Sequence, residues 1–311
     1  VKLRSPSRTM TTPVATLFLA GGLAACTISP TPEADPTLST LSADAHANVA
    51  KLSGTDPRGA EVRERHAEAL DAEIRRLCGV LEDGTVPDSC TVPEATDATV
   101  SATIGAADVL PESAELIARE VASVPQESVL KLARMHGELA VLTGTTPEPE
   151  SSTVRGLVDQ AEFDPDSADL EAALRALEWQ YSAIYGLEVA QAWADPPVAA
   201  SIGEAVAGHR ELAEQLRELL SGVPESRLPV PAAGYGMPEG KAPTDTGSAL
   251  ATAVSIETDS VFMWQANATT AEQPVWRVWC VLAGSTAALR SAPLLAAAGT
   301  DPASTGLFDL G

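Results

Sequence analysis

Glu178, His209 and Glu257 are the side chains of this sequence best placed to do chemistry together. Each falls on or beside the apolar stripe of a long segment with helical spacing. Leu170, Leu174, Leu177, Tyr181, Ile184 and Glu188 share one face, with Glu178 and Tyr185 on its flank. A second stripe holds Ile202, Val206, His209, Leu212, Leu216 and Leu219, and a third holds Leu250, Val254, Glu257, Val261 and Trp264. Carboxylates and an imidazole among core positions must find partners, because an unpaired buried charge is costly. Together the three could hold a single divalent metal ion. They could equally hydrogen-bond to one another and fix the register of the helices that carry them.

Four predicted helices must position these groups. The first runs from Asp166 to Ala194, started by Asp166 or Ser167 as N-cap. The second, Pro196 to Leu220, has Asp195 as cap, Pro196 in its first turn and Gly222 just past its end. The third covers Thr246 to Ala268, and the fourth runs from Pro274 to Ala298, broken or bent near Pro293. Each is roughly 37 Å long at 1.5 Å per residue. The longest connection, the Pro- and Gly-rich stretch Val223 to Pro243, joins the second to the third. Residues 166–298 therefore read as a four-helix bundle of the crossover kind, followed by a tail over 299–311.

An N-terminal helical region, residues 43–143, precedes the bundle. Its predicted helices are Pro57 to Leu81, Glu112 to Val124 and Gln126 to Thr143, and a linker over 144–165 marks a domain boundary. Only 4% of the 311 residues are aromatic while Ala is abundant, which favours helices packed through small side chains over a sheet. The expected fold class is all-α.

The cysteines speak to location. Residues 1–26, VKLRSPSRTMTTPVATLFLAGGLAAC, give a basic stretch, a short apolar run and small residues before Cys26. The apolar run is too short to cross roughly 30 Å of hydrocarbon and reads as a cleaved signal peptide, residues 1–25. Leu23-Ala24-Ala25-Cys26 looks like a lipobox, with two acyl chains needed on Cys26 for stable anchoring. The expected location is the extracytoplasmic face of the cell membrane, with lipidated Cys26 and a flexible tether over 26–42. Cys78 and Cys90 flank a loop-like stretch and are expected to form a disulfide. Cys280, in the apolar run VWCVLAG, reads as a buried free thiol.

The net charge is −23, and −26 once Lys2, Arg4 and Arg8 leave with residues 1–25, which carry no acid. No nucleic-acid partner is expected, since phosphate binding needs a basic patch. An acidic surface is also repelled by anionic headgroups, so the lipid on Cys26 must supply the membrane contact. No stretch beyond the signal reads as a transmembrane helix. Gly234-Tyr235-Gly236 follows no strand and reads as crossover loop, and Ser128-Val129-Leu130-Lys131 lacks the companion motifs of penicillin-recognising enzymes. His66 and His136 are expected on helix flanks, Glu64, Glu68, Asp71 and Glu73 on a solvated face, and Trp264, Trp276 and Trp279 in the core.

Several of these elements recur together in order. Leu177-Glu178-Trp179, Ile184-Tyr185-Gly186, His209-Arg210, Ala233-Gly234-Tyr235-Gly236-Met237-Pro238 and Ile256-Glu257 resemble the actinobacterial ferritin-like family described as the domain of unknown function DUF4439. The resemblance implies a ferritin-like bundle and no particular activity. Ferritin-like carboxylate proteins build a di-metal site from a Glu on each of two helices and a Glu-x-x-His on each of the others. Here Val206 lies three before His209, and PVWRVWCVLAGSTAALRSAP on the fourth helix offers neither carboxylate nor His. Half the ligand set is missing, so no cofactor is expected. The expected function is that of a non-enzymatic envelope lipoprotein binding a protein or small-ligand partner. The alternative is a metal-binding envelope protein for iron handling or oxidation, through a divalent ion at Glu178, His209 and Glu257.

Overall fold

Several helix starts in this chain are encoded locally. In the computed structural model, which describes residues 32–81, 83–90, 107–145, 163–236 and 242–311, eight α-helices appear and no strand is present among the described residues. Helix α1, Pro36–Leu52, is capped by Asp35, whose carboxylate accepts from Leu38 N–H at 2.9 Å. Helix α2, Pro57–Cys78, repeats the device with Asp56 and Gly59 N–H at 3.0 Å. In both, Pro occupies the first turn, where its missing N–H costs nothing. Helices α3, Val109–Glu120, and α4, Val129–Thr143, follow, with a 3₁₀ turn at Gln126–Ser128 between them.

The bundle comprises α5, Ala168–Gln191; α6, Pro196–Leu219; α7, Thr246–Thr270; and α8, Pro274–Ala297. Ser167 caps α5, and Asp245 with Ser248 forms a reciprocal capping box on α7. Helix α5 packs on α6 and α7, and α8 on α7 and α6, with one long crossover between α6 and α7. This all-helical bundle is consistent with the ferritin-like class. Close approach is possible because small residues sit at the crossings. A Cβ on Gly186 would lie 2.8 Å from Ile256 Cδ1, and one on Gly284 would lie 3.1 Å from Trp264 Cβ.

Helix α4 lies across α8 and α7, and α3 also touches α8. Residues of α1 to α4 and of the bundle share one buried cluster, and Pro32–Gly311 forms one compact unit. Arg277 of α8 joins the two halves. Its guanidinium donates to Val124 O and Gln126 Oε1 on one side and to Ala271 O on the other. Helix α8 is long and apolar enough to span a membrane by length and composition, contrary to expectation. Contacts with α3, α4, α6 and α7 account for that composition, since such a helix is apolar nearly all round.

Other expectations need correction. Within the tether predicted over 26–42, Pro36–Ser42 instead form the first turns of α1, with Leu38 and Leu41 buried. Helix α2 ends at Cys78 and not at Leu81, since Gly79 takes a φ of 74° and turns the chain. Helix α8 is not broken at Pro293 but runs on to Ala297, with Leu294 and Leu295 buried. The tail over 299–311 is packed: Leu307 and Phe308 enter the core, and Gln265 Nε2 donates to Leu307 O at 3.0 Å. A disulfide links Cys78 at the end of α2 to Cys90 in a 3₁₀ turn, Asp88–Cys90, with Cα atoms 6.2 Å apart. Cys26 and the signal peptide expected over residues 1–25 lie outside the described residues.

Candidate polar site within the bundle

Each bundle helix contributes one polar side chain to a chain of contacts through the interior. Gln180 of α5 leads to His209 of α6, then to Glu257 of α7 and finally to Arg290 of α8. His209 Nδ1 lies 2.6 Å from Gln180 Oε1, and its Nε2 lies 3.0 Å from Glu257 Oε1. Arg290 Nε donates to Glu257 Oε2 at 3.3 Å. The His209 and Glu257 side chains are both 0% exposed. Sequence periodicity placed these two inward because they replace a leucine on their stripes, and the helices deliver them to the same level.

Protonation follows from the partners. Burial pushes the His209 pKa below 6.5, against the pull of Glu257, and the Arg290 charge adds to the lowering. Burial alone would raise Glu257. The Arg290 charge and the hydrogen bond from His209 outweigh it and hold the carboxyl below the usual range. Glu257 is therefore an ion paired with Arg290. An ionised carboxylate only accepts, so Nε2 carries the ring proton. At Nδ1 the ring meets Oε1 of Gln180, whose amide nitrogen donates to Ala176 O at 3.3 Å.

Glu178 does not join this group. It is exposed, on the outward side of Leu177, while Gln180 turns inward. One residue of helix is 100° of rotation, so a flank assignment beside a buried Leu can fall on either side. The expected trio thus reduces to a buried His209–Glu257 pair, and among the described residues no three His, Cys, Asp or Glu side chains are grouped to hold a metal ion. Gln180 and Arg290 were the members missed. Gln180 follows Leu177 by three, a readable signal, and Arg290 is a lone cation between the buried Ala287 and Leu294.

A second network crosses α1 to α4. Asp44 Oδ2 accepts from Arg63 Nη2, Asn48 Nδ2 and Ser113 Oγ at 2.8, 3.1 and 2.8 Å. Arg63 Nη1 reaches His66 Nδ1 at 3.0 Å, and His66 Nε2 reaches Glu138 Oε2 at 3.0 Å, with Arg65 on the other Glu138 oxygen. Arginine donates to Nδ1, so His66 is neutral with its proton on Nε2. Burial lowers its pKa to about 4, as it does for His136, whose Nδ1 meets Ser285 Oγ of α8. Both rings were expected on helix flanks; instead each is fully buried because α4 covers it or carries it into the joint with α8. Glu73 also leaves the expected solvated face, turning inward to accept from Ser128 Oγ at 2.7 Å and from Arg76.

Trp264, Trp276 and Trp279 form an aromatic cluster, with Trp276 and Trp279 stacked at 5.4 Å. Cys280 beside them is a buried free thiol whose pKa burial raises. In the crossover, Tyr235 packs on Tyr185 at 5.8 Å. No curated protein sequence matches the chain. A crystal structure of a conserved hypothetical protein from Mycobacterium tuberculosis is similar at 28% identity, covering 43% of this chain and 99% of that one, with a TM-score of 0.39. Gln180, His209, Glu257 and Arg290 all fall within residues 172–306, the segment that matches the family model described as a domain of unknown function, DUF4439.

Proposed function

We propose that this chain is a non-enzymatic cell-envelope lipoprotein, held by lipid on Cys26 at the outer face of the membrane, whose helical body binds a protein or small-ligand partner. The observation that carries the non-enzymatic part is the saturation of His209 and Glu257. Both ring nitrogens and both carboxylate oxygens are taken up by other helices, which leaves neither a free base nor an open ligand position. Their role is to set the register of four helices. The location is supported by Leu23-Ala24-Ala25-Cys26 and by the Pro-, Ser- and Thr-rich run that follows it. The same reading takes the bundle as that of an actinobacterial ferritin-like family, supported by the family match over residues 172–306.

Two measurements test this. Fractionation of cells should find the wild-type chain with membranes and Cys26→Ser released; retention of Cys26→Ser on membranes would refute lipid anchoring. Metal analysis of protein purified without chelator should return less than about a tenth of an equivalent of iron, manganese or zinc, which would leave the metal-binding alternative without support. Near-stoichiometric metal that disappears in His209→Leu would instead establish the iron-handling alternative.

A further inference from the structure

Val80 and Leu81 are adjacent apolar side chains that the fold leaves in water, 68% and 45% exposed. A single exposed hydrophobic residue needs no explanation, but this pair is displayed by a constrained loop. Gly79 turns the chain at the end of α2 with a φ of 74°. Leu81 then opens a tight turn: its O accepts from Gly84 N–H at 2.9 Å and its N–H donates to Thr85 O at 2.8 Å. The Asp83 carboxylate is drawn into that turn, accepting from Thr85 N–H at 2.9 Å and Thr85 Oγ1 at 2.6 Å. The Cys78–Cys90 disulfide closes the loop into a ring.

The same ring holds the root of the segment that leads back to Cys26. Ser89 O accepts from Ala34 N–H at 3.4 Å, and Ser89 Oγ donates to Pro32 O at 2.5 Å. Val80 lies two residues beyond Cys78, whose Cα is 6.2 Å from that of Cys90, which keeps Val80 Cα within about 14 Å of Cys90 Cα at 3.8 Å per residue. Pro32 follows Cys26 by six residues, a reach of at most about 21 Å when fully extended. A lipid on Cys26 therefore keeps the ring within one short tether of the bilayer. Such a tether makes a second contact intramolecular, at roughly millimolar effective concentration, so a contact too weak to hold a free protein becomes populated.

The charges around the pair say which force drives that contact. Glu33, Glu82, Asp83 and Asp88 outnumber Arg75 and Arg76 in and beside the ring, so apolar burial drives it and attraction to anionic headgroups does not. We propose that Val80 and Leu81 form a second membrane contact, seated at the headgroup–acyl boundary of a lipid bilayer beside the root of the tether. This rests on the lipid anchoring proposed above and names the face of the protein that the anchor turns to the membrane.

The test is tryptophan fluorescence of the lipidated full chain in phosphatidylcholine vesicles with brominated acyl chains, the wild type supplying the background of the native tryptophans. Leu81→Trp should add emission that the bromines quench, whereas Glu214→Trp, at an exposed position of α6, should add emission that they do not. Adding Val80→Asp to Leu81→Trp should abolish the extra quenching while the chain still floats with the vesicles. If Leu81→Trp fails to fold, hydrogen exchange carries the comparison: amides 79–85 of the wild-type chain on vesicles should exchange more slowly than those of Cys26→Ser in buffer. Quenching of Leu81→Trp no greater than that of Glu214→Trp, or equal exchange rates, in a chain that floats, overturns the inference and leaves the anchor standing. Failure of the wild-type chain to float with vesicles refutes the anchor, and the second contact falls with it.

Discussion

Glu257→Leu offers the sharpest measure of the bundle network. Glu257 is fully buried, and it is the acceptor for both His209 Nε2 and Arg290 Nε. Removing it leaves Arg290 with no protein acceptor among the described residues and His209 with one neighbour fewer. Breaking a buried pair from one side costs about 3–5 kcal/mol, and the added leucine methyls recover only part of that at about 0.8 kcal/mol per buried carbon. The expected net loss is about 3 kcal/mol in urea unfolding followed by far-UV circular dichroism at pH 7. Replacing both partners, Glu257→Leu with Arg290→Met, removes the stranded charge and should restore most of the loss, because apolar pairs substitute well for buried ions. The double-mutant cycle should therefore show coupling of at least about 2 kcal/mol, where independent sites add within about 0.5 kcal/mol. A single variant within about 1 kcal/mol of wild type, or strictly additive losses, would refute the reasoning.

Acid sensitivity should come in part from the neutral histidines. His66 and His136 have folded pKa values lowered from 6.5 to about 4, so the unfolded chain binds more protons between those limits. Their stabilisation is complete above pH 6.5 and is lost as pH falls toward 4, with a slope of up to about 1.4 kcal/mol per pH unit for each ring. His136→Leu should remove one ring's share of that slope while changing stability at pH 7 by about 1 kcal/mol or less, since His136 makes one side-chain hydrogen bond; an unaltered pH profile between 4 and 6.5 would count against it. Reducing the Cys78–Cys90 disulfide, or replacing both cysteines by Ser, should cost about 3 kcal/mol by releasing a short loop in the unfolded chain. Hydrogen exchange should then show the last turn of α2 opening, and an unchanged unfolding midpoint would contradict that value.

Much of the bundle was legible because its signals are local. Asp or Ser before a helical run satisfies exposed N–H groups within one turn, and Pro in the first turn acts on its own backbone, so the starts of α5 to α8 could be placed within about two residues. His209 and Glu257 were legible for a related reason: a polar side chain at a leucine position of an amphipathic stripe has only the interior to enter. Helix ends were less secure. Gly79 stops α2 through its left-handed φ, whereas Pro293 sits within α8 without ending it.

The sequence by itself determined the helical class, the stripe residues of α6 and α7, and the pairing of Cys78 with Cys90 across a short loop. Only the tertiary structure decided which atoms meet. Glu178 and Gln180 differ by a rotation about one helix axis, and the packing of α5 on α6 and α7 turned Gln180 toward His209 and Glu178 toward water. Likewise nothing within α8 announces that α4 will cover its outer side, bury His136 against Ser285 and draw the two halves into one core. Periodicity states that a face is apolar. What covers that face depends on complementary shape over the whole molecule, and this information is distributed among residues far apart in the chain.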